Sequence, residues 1–388
     1  MVAPRLGERS QVWIDRQIRG FEAFRPAILT WPTPNSDAPQ EHPVPIECLP
    51  FPKEPNDGRG RWLWRTRNAG SGNFFGTRGG ERRQICRFLR NHDVEVMLAH
   101  FGHIALRVLP AARDLGIPVV AHFHGLDITS SLNNRWYRWS LKNKICDFAE
   151  VVCVGSHQRD RLIRMGAPED RIHLIPCGVP VADFPFVDRV ARGDCVTLLF
   201  VGRLVPWKGV QVVLRALSAL DDDLPAWEFR IVGTGPQQGE LQELAGALGL
   251  SDRVRFLGSL DSSEVNRQMA GTDIFVHHSL TSPDGWVEGF GVSVAEAAST
   301  GLPVVASRSG GICDQVREGE TGILTEENDV QATARAISTL MRDGDLRLRM
   351  GAAGATRMRD VFDTQGQVRK LESVLLRAAS SNSDTGHR

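Results

Sequence analysis

Short apolar runs bounded by glycine, proline or charge alternate along this chain with stretches whose apolar positions recur at helical spacing. In the first half the runs fall at 26–31, 94–100, 117–124, 150–156 and 172–178, and in the second at 196–202, 227–233, 254–258, 273–279, 302–307 and 322–325. Helical patterns at 209–220, 236–249, 261–271 and 331–343 separate the later runs. Such alternation predicts an α/β architecture, parallel sheets covered by helices on both faces. A chain of 388 residues exceeds the usual limit for one core, so two Rossmann-like sheets are expected.

The stretch 180–194, "PVADFPFVDRVARGD", is rich in proline and charge and lacks periodicity. It marks a junction between a first domain, 1–185, and a second, 195–360; a last helix in 361–388 is expected to cross back to the first domain and end in a polar tail. Residues 32–80 carry many prolines, glycines and arginines without periodicity and read as a long insertion. "SQVWIDRQIRGF" already reads as a helix, which leaves a first strand squeezed into Met1–Leu6 or absent. Only "LGERS" stands where a glycine-rich turn would lead from strand to helix.

Apolar content of 41% and charged content of 24% fit a soluble globular protein. No segment offers the ~18 uninterrupted apolar residues of a membrane span, and the first residues are charged where a signal peptide needs an apolar run. A cytoplasmic location is expected, with peripheral contact at the inner face of the plasma membrane as the closest approach to lipid. The seven cysteines are scattered without a CxxC pair and read as reduced, mostly buried thiols. Zero net charge gives no argument for a nucleic-acid partner. Charge is uneven, however: nine arginines and one acid lie between Arg59 and Arg90 beside Trp62, Trp64, Phe74 and Phe75, and "RWYRW" at 135–139 repeats the mixture. That pattern reads either as solvated loop or as a surface for an anionic acceptor or an anionic membrane face.

Candidate chemistry gathers at strand ends. After the run at 196–202 comes "GRLVPWKG" (202–209), where the carboxyl end of a strand projects Arg203 and Lys208 into the ligand crevice of a doubly wound sheet. A planar fork and a mobile point charge suit a diphosphate; the plainer reading is a strand-to-helix turn with solvated cations. In "EGFGVSVAEAASTGLPVVAS" (288–307) a helix is expected from near Gly291 to the stop at Gly301. Free amides at Phe290, Gly291 and Val292 favour an anion, and Gly289 and Gly291 allow close backbone approach. Glu288 precedes that helix and Glu296 lies about 7 Å along its axis at ~1.5 Å per residue, so the two carboxylates flank the phosphate position. A nucleotide-sugar has this shape, with hydroxyls on either side of a diphosphate. In the first half "AHFHGLD" (121–127) ends a strand with His124 and Asp127, while His100 and His103 read as structural or as lining of an acceptor cleft.

These motifs in this order resemble the retaining GT-B glycosyltransferases, specifically glycosyltransferase family 4. The resemblance rests on "GSHQRDRLIRMGAPEDRIHLIPCGV" (155–179), "VGRLVPWKG" (201–209), "IVGTGP" (231–236), "VRFLGSL" (254–260), the 288–307 stretch and "GGICDQVREGETGIL" (310–324). It implies a GT-B fold, with an N-terminal acceptor-binding domain and a C-terminal nucleotide-sugar-binding domain. It further implies that Gly202, Arg203 and Lys208 hold the donor diphosphate, Glu296 the ribose and Glu288 the transferred sugar. The Phe290–Val292 amides would lie on sugar or phosphate, backbone near Gly233 and from Phe256 to Leu260, including Leu257, would frame the base, and His124 would lie near the reacting sugar. Asp127 would meet a sugar or acceptor hydroxyl. The implied reaction is retaining hexosyl transfer from a UDP- or GDP-sugar to a glycan or lipid-linked glycan in bacterial polysaccharide or glycolipid assembly. No cofactor and no metal are expected, since no DxD motif follows a sugar-binding strand and Arg203 and Lys208 supply the charge. The missing N-terminal glycine loop departs from the family pattern. A nucleotide-sugar epimerase or hydrolase on the same fold, or a silent binding module, would read similarly.

Overall fold

The computed structural model describes residues 1–3, 12–31, 44–49, 70–190 and 195–383. They form two compact units, one of Met1–Pro176 with Gln365–Arg388 and one of Cys177–Thr364.

The first unit is built on a parallel sheet of β1 (Ile28–Thr30), β2 (Ile46–Cys48), β3 (Met97–His100), β4 (Val119–Phe123), β5 (Glu150–Cys153) and β6 (Ile172–Leu174). β2 pairs with β1, and β3 to β6 lie side by side in chain order. Val2 bridges β1 and β3: its amide donates to the Leu98 carbonyl (2.8 Å) and its carbonyl accepts from the His100 amide (2.9 Å). Of the expected stretch Met1–Leu6, Val2 thus forms isolated bridges rather than a strand, and residues 4–6 lie outside the described residues. The residues "LGERS" lie outside the described residues. β2 falls inside the 32–80 segment, which sequence periodicity left without structure; three residues are too few to show an alternation.

Alternation along the strands divides this unit's core. Met97, Ala99, Val119, Ala121, Phe123 and Val151 face the helices Gly79–Asn91 and Gly102–Asp114, while Leu98, Val120 and Val152 face the other way. The second face is covered by Leu371, Val374, Leu375 and Ala378 of the helix Thr364–Ser383. Arg377 of that helix forks onto buried Glu150, donating to Oε1 (2.7 Å) and Oε2 (2.9 Å), and His173 Nε2 also contacts Glu150 Oε2 (2.8 Å).

The second unit has one six-stranded parallel sheet of β7 (Cys195–Val201), β8 (Ala226–Val232), β9 (Val254–Gly258), β10 (Ile274–His277), β11 (Val304–Ser307) and β12 (Gly322–Thr325). Its order is β12-β11-β10-β7-β8-β9, so the winding reverses between β7 and β10. Ligands of such sheets bind outside the carboxyl ends of the strands at that reversal.

The boundaries differ from those expected, because 177–190 does not behave as a free linker. Phe184 is buried, its carbonyl accepts from Ser299 Oγ (2.8 Å), and Arg189 donates to the carbonyls of Thr272 (3.2 Å), Met269 (2.8 Å) and Thr300. The segment thus belongs to the second unit. Among the described residues no helix is long and apolar enough to cross a membrane.

Candidate active site

The reversal between β7 and β10 brings together residues about eighty positions apart. β7 leads through Gly202 and exposed Arg203 to Lys208, whose approach is set by the turn Pro206–Lys208 and by Gly209 at φ 67°. A Cβ on Gly209 would lie 1.7 Å from the His278 carbonyl oxygen, so only glycine lets this turn pack on the end of β10. β10 leads through His277, His278 and Ser279 to Glu288.

Lys208 Nζ pairs directly with Glu288 Oε2, and both side chains are nearly buried. Ser279 Oγ donates to the same oxygen at 3.1 Å and lies 3.0 Å from His277 Nε2, which is itself 3.7 Å from Glu288. His277 is sandwiched between Phe200 (ring centroids 5.3 Å apart) and Phe275 (6.2 Å). Burial pushes the Glu288 carboxyl up, but the Lys208 charge and the His277 contact outweigh it and hold the group well below the ordinary carboxylate range. Burial lowers His277 in turn, keeping it neutral. Glu288 is therefore a fixed anion, and Lys208 is held in place while keeping two further donors for a ligand.

Beyond Glu288 the chain turns into the helix Val292–Ser299 with Gly291 at φ 78°. Among the described residues the amides of Phe290, Gly291 and Val292 have no acceptor, so this helix start offers three donors. The turn is held from below: Gln315 Nε2 donates to the carbonyls of Phe290 and Gly291, and the Gly311 amide donates to the Glu288 carbonyl at 3.0 Å. Glu296 is buried within the helix. Arg203 makes no side-chain hydrogen bond or ion pair among the described residues. Gly233 packs its Cα onto the Gly202 carbonyl and donates its amide to Gly258 (2.7 Å), while Leu257 and Leu260 are half-buried nearby in sequence.

In the first unit His124 follows β4, and the Asp127 carboxylate is committed to backbone. It accepts from the amides of His124 (3.0 Å), Gly125 (3.1 Å) and Gly102 (2.9 Å), while burial pushes it up to about 6. Asp127 thus shapes the loop that carries His124, a role its spacing did not disclose. His124 Nε2 lies 3.1 Å from His100 Nδ1, Trp13 stacks on the His124 ring (3.8 Å), and His122 sits 4.1 Å from it ring to ring. Burial holds His100, His122 and His124 below their ordinary range. His103 lies apart, stacked on Phe101. Sequence reasoning quoted the stretches that hold His122, Gln315 and Gly310–Gly311 but gave these residues no individual role; a His-x-His on a strand and "SGGICDQ" after one were their signals.

One unit is a doubly wound sheet with cations and a helix start at its reversal, the other a second parallel sheet; together they make an α/β protein of two Rossmann-like parts. Comparison with known proteins agrees. Residues 187–357 match the model of glycosyl transferases group 1 and residues 28–183 that of Glycosyltransferase Family 4. The chain is 33% identical over 280 residues to a GDP-mannose-dependent alpha-(1-6)-phosphatidylinositol monomannoside mannosyltransferase of Mycolicibacterium smegmatis, covering 69% of this chain and 72% of the relative. It is 27% identical over 290 residues to the amylovoran biosynthesis glycosyltransferase AmsK of Erwinia amylovora, covering 74% and 70%. Among solved structures, HepE of Anabaena in complex with UDP and glucose matches with TM-score 0.74 at 19% identity, covering 97% of this chain and 98% of that one. The chain belongs to the group 1 glycosyl transferases of glycosyltransferase family 4, and its fold is GT-B.

Proposed function

We propose that this glycosyltransferase moves a sugar from a UDP- or GDP-sugar to an acceptor hydroxyl with retention of anomeric configuration, without a metal on the diphosphate. The carrying observation is the convergence at the β7/β10 reversal of Arg203, Lys208 locked onto Glu288, and the three unpaired amides of Phe290–Val292. The donor class draws further support from the relatives, one described as GDP-mannose-dependent and one solved with UDP and glucose.

In this reading Arg203, Lys208 and the helix amides take the diphosphate, with Gly202 allowing its approach; Glu288 and Glu296 take hydroxyls of sugar and ribose. Backbone around Gly233, Leu257 and Leu260 frames the base. The bond from anomeric carbon to diphosphate oxygen breaks as charge builds on the leaving phosphate, where the preorganised donors stabilise it. The acceptor oxygen bonds to the same face of the carbon, and its proton passes to the departing phosphate. Glu288 is too firmly paired with Lys208 to be a free nucleophile and serves as a hydroxyl clamp. His124, held by Asp127 through the loop between them, lines the acceptor side in the first unit.

The acceptor is a glycan or lipid-linked glycan of a surface polysaccharide or glycolipid, met at the cytoplasmic membrane face. The helix Arg135–Lys144 carries two arginines, two lysines and no acid; Trp136 and Trp139 are 37% and 40% exposed on it, and neighbouring Leu126 is 49% exposed. Basic and aromatic side chains on one exposed helix suit an anionic lipid surface.

A panel of UDP- and GDP-sugars tested by thermal shift, then by product NMR with and without acceptor, tests the proposal. A stabilising donor and an acceptor-dependent product of unchanged anomeric configuration are expected. Rapid donor turnover without acceptor would instead identify an epimerase or hydrolase, and binding of UDP or GDP that is lost on chelation would overturn the metal-free diphosphate site.

A further inference from the structure

β3 and β4 pair in parallel with His100 opposite His122, so both imidazoles leave the same face of the sheet; His124, two residues on, returns to that face. The three rings close on one another, with centroids 5.2 Å apart for His100 and His122, 5.2 Å for His100 and His124, and 4.1 Å for His122 and His124. One nitrogen from each ring lies within 4.8 Å of the other two. Of the six ring nitrogens, His100 Nε2, His124 Nδ1 and both of His122 are buried without a hydrogen-bond partner. Among the described residues a hydrogen-bonded histidine network does not account for His122, whose two ring nitrogens meet neither donor nor acceptor there.

We propose that His100, His122 and His124 form a binding site for one divalent transition metal of the zinc class. Three imidazoles converging from adjacent strand ends are a recurring donor set for such ions, and zinc takes each nitrogen at about 2.0–2.1 Å. The 3.1 Å between His100 Nδ1 and His124 Nε2 is close to the separation two such ligands adopt, and one nitrogen from each of the three rings lies within 4.8 Å of the others. Ligation through His100 Nδ1 and His124 Nε2 would replace their contact with each other, give one of the two unpartnered His122 nitrogens a partner, and leave a fourth position on the ion open. Trp13, stacked on His124 and edge-on to His100 at 5.2 Å, walls the site with an apolar surface. The site lies in the unit that does not carry Arg203 and Lys208, so it neither depends on nor replaces the donor-phosphate reading above. Its place is to fix the loop bearing His124 against β3.

The test uses the full chain without a histidine tag, stripped with chelator and titrated with Zn²⁺ by calorimetry and with Co²⁺ by visible absorption. Expected are saturation at a single ion per chain, ligand-field bands from cobalt, and a higher unfolding temperature with zinc. His122→Ala is expected to weaken binding by more than the ~10–100-fold that losing an outer-shell partner costs, and His103→Gln to leave it unchanged. No saturable binding by the unsubstituted chain, or binding that survives both His122→Ala and His124→Ala, would overturn the proposal. If His122→Ala does not fold, the cobalt spectrum and zinc stoichiometry of the unsubstituted chain decide.

Discussion

Lys208 and Glu288 are worth more to each other than to stability alone. Their contact removes two charges from water, and such a pair gains little over an apolar one, yet breaking it strands a buried charge. If Lys208 holds the leaving phosphate as proposed, Lys208→Ala lowers kcat/KM by about 10²–10³-fold, and it is expected to cost up to about 3–5 kcal/mol in urea unfolding by stranding Glu288. Lys208→Met with Glu288→Gln should regain most of that stability and none of the activity, which separates the structural from the chemical part of the pair. Arg203 gives the opposite profile: exposed and without a described partner, its change to Ala should leave stability within about 0.5 kcal/mol while still lowering transfer by about 10²-fold. Lysine there should restore little, lacking the planar fork. His278 sets an acid limit on the second unit. Burial lowers it from 6.5 to about 4, and its Nε2 accepts from the Asn328 amide at 3.1 Å, which only the neutral ring can do. A folded value below the unfolded one means the stabilisation is full above about 6.5 and is lost as the pH falls toward 4. His278→Gln should flatten this part of the melting-temperature profile between pH 7 and pH 4.

At the scale of elements, the site is a loop and a helix start held from behind. A Cβ on Gly310, at φ 50°, would stand 2.0 Å from the Glu288 carbonyl oxygen, and one on Gly311 would stand 2.2 Å from that of Gly289. The backbone that bears Glu288 and the free amides therefore rests directly on this glycine pair. Gly310→Ala should shift the loop, cost about 1–3 kcal/mol and raise the donor Kd by about tenfold, a change of ~1.4 kcal/mol, read by calorimetry with UDP and GDP. The sequence displayed the parts of this site that are local: a cation after a strand, two glycines before a helix, a glutamate on either side. It hid what long-range register makes. The Lys208–Glu288 pair spans 80 positions, and His100 meets His122 only because β3 and β4 align at those residues. Nothing in the spacing of Asp127 shows that three amides converge on its carboxylate. β2 was invisible for a plainer reason, since Ile46–Cys48 is shorter than any period that could announce it.

For the whole molecule, the two-sheet plan followed from the alternation of runs, whereas the limits of the units depend on side chains that tie segments down. Arg189 and Phe184 make 177–190 part of the second unit, and Leu371, Val374, Leu375 and Ala378 make the last helix a wall of the first unit. Expressed separately, 177–364 should fold cooperatively and be stabilised by UDP or GDP, by about 2.7 kcal/mol at a nucleotide concentration a hundred times Kd. A fragment cut at 195–360 loses the Arg189 bonds to the Thr272, Met269 and Thr300 carbonyls and the Phe184 contact, and should melt lower and bind more weakly. Residues 1–176 alone would expose Leu98, Val120, Val152 and Ile175 to water and should aggregate unless 365–388 is fused or added in trans. Circular dichroism melts and nucleotide calorimetry on these fragments decide the matter: a 195–360 piece as stable as 177–364 would mean that the strap through Arg189 contributes nothing, despite its partly buried hydrogen bonds.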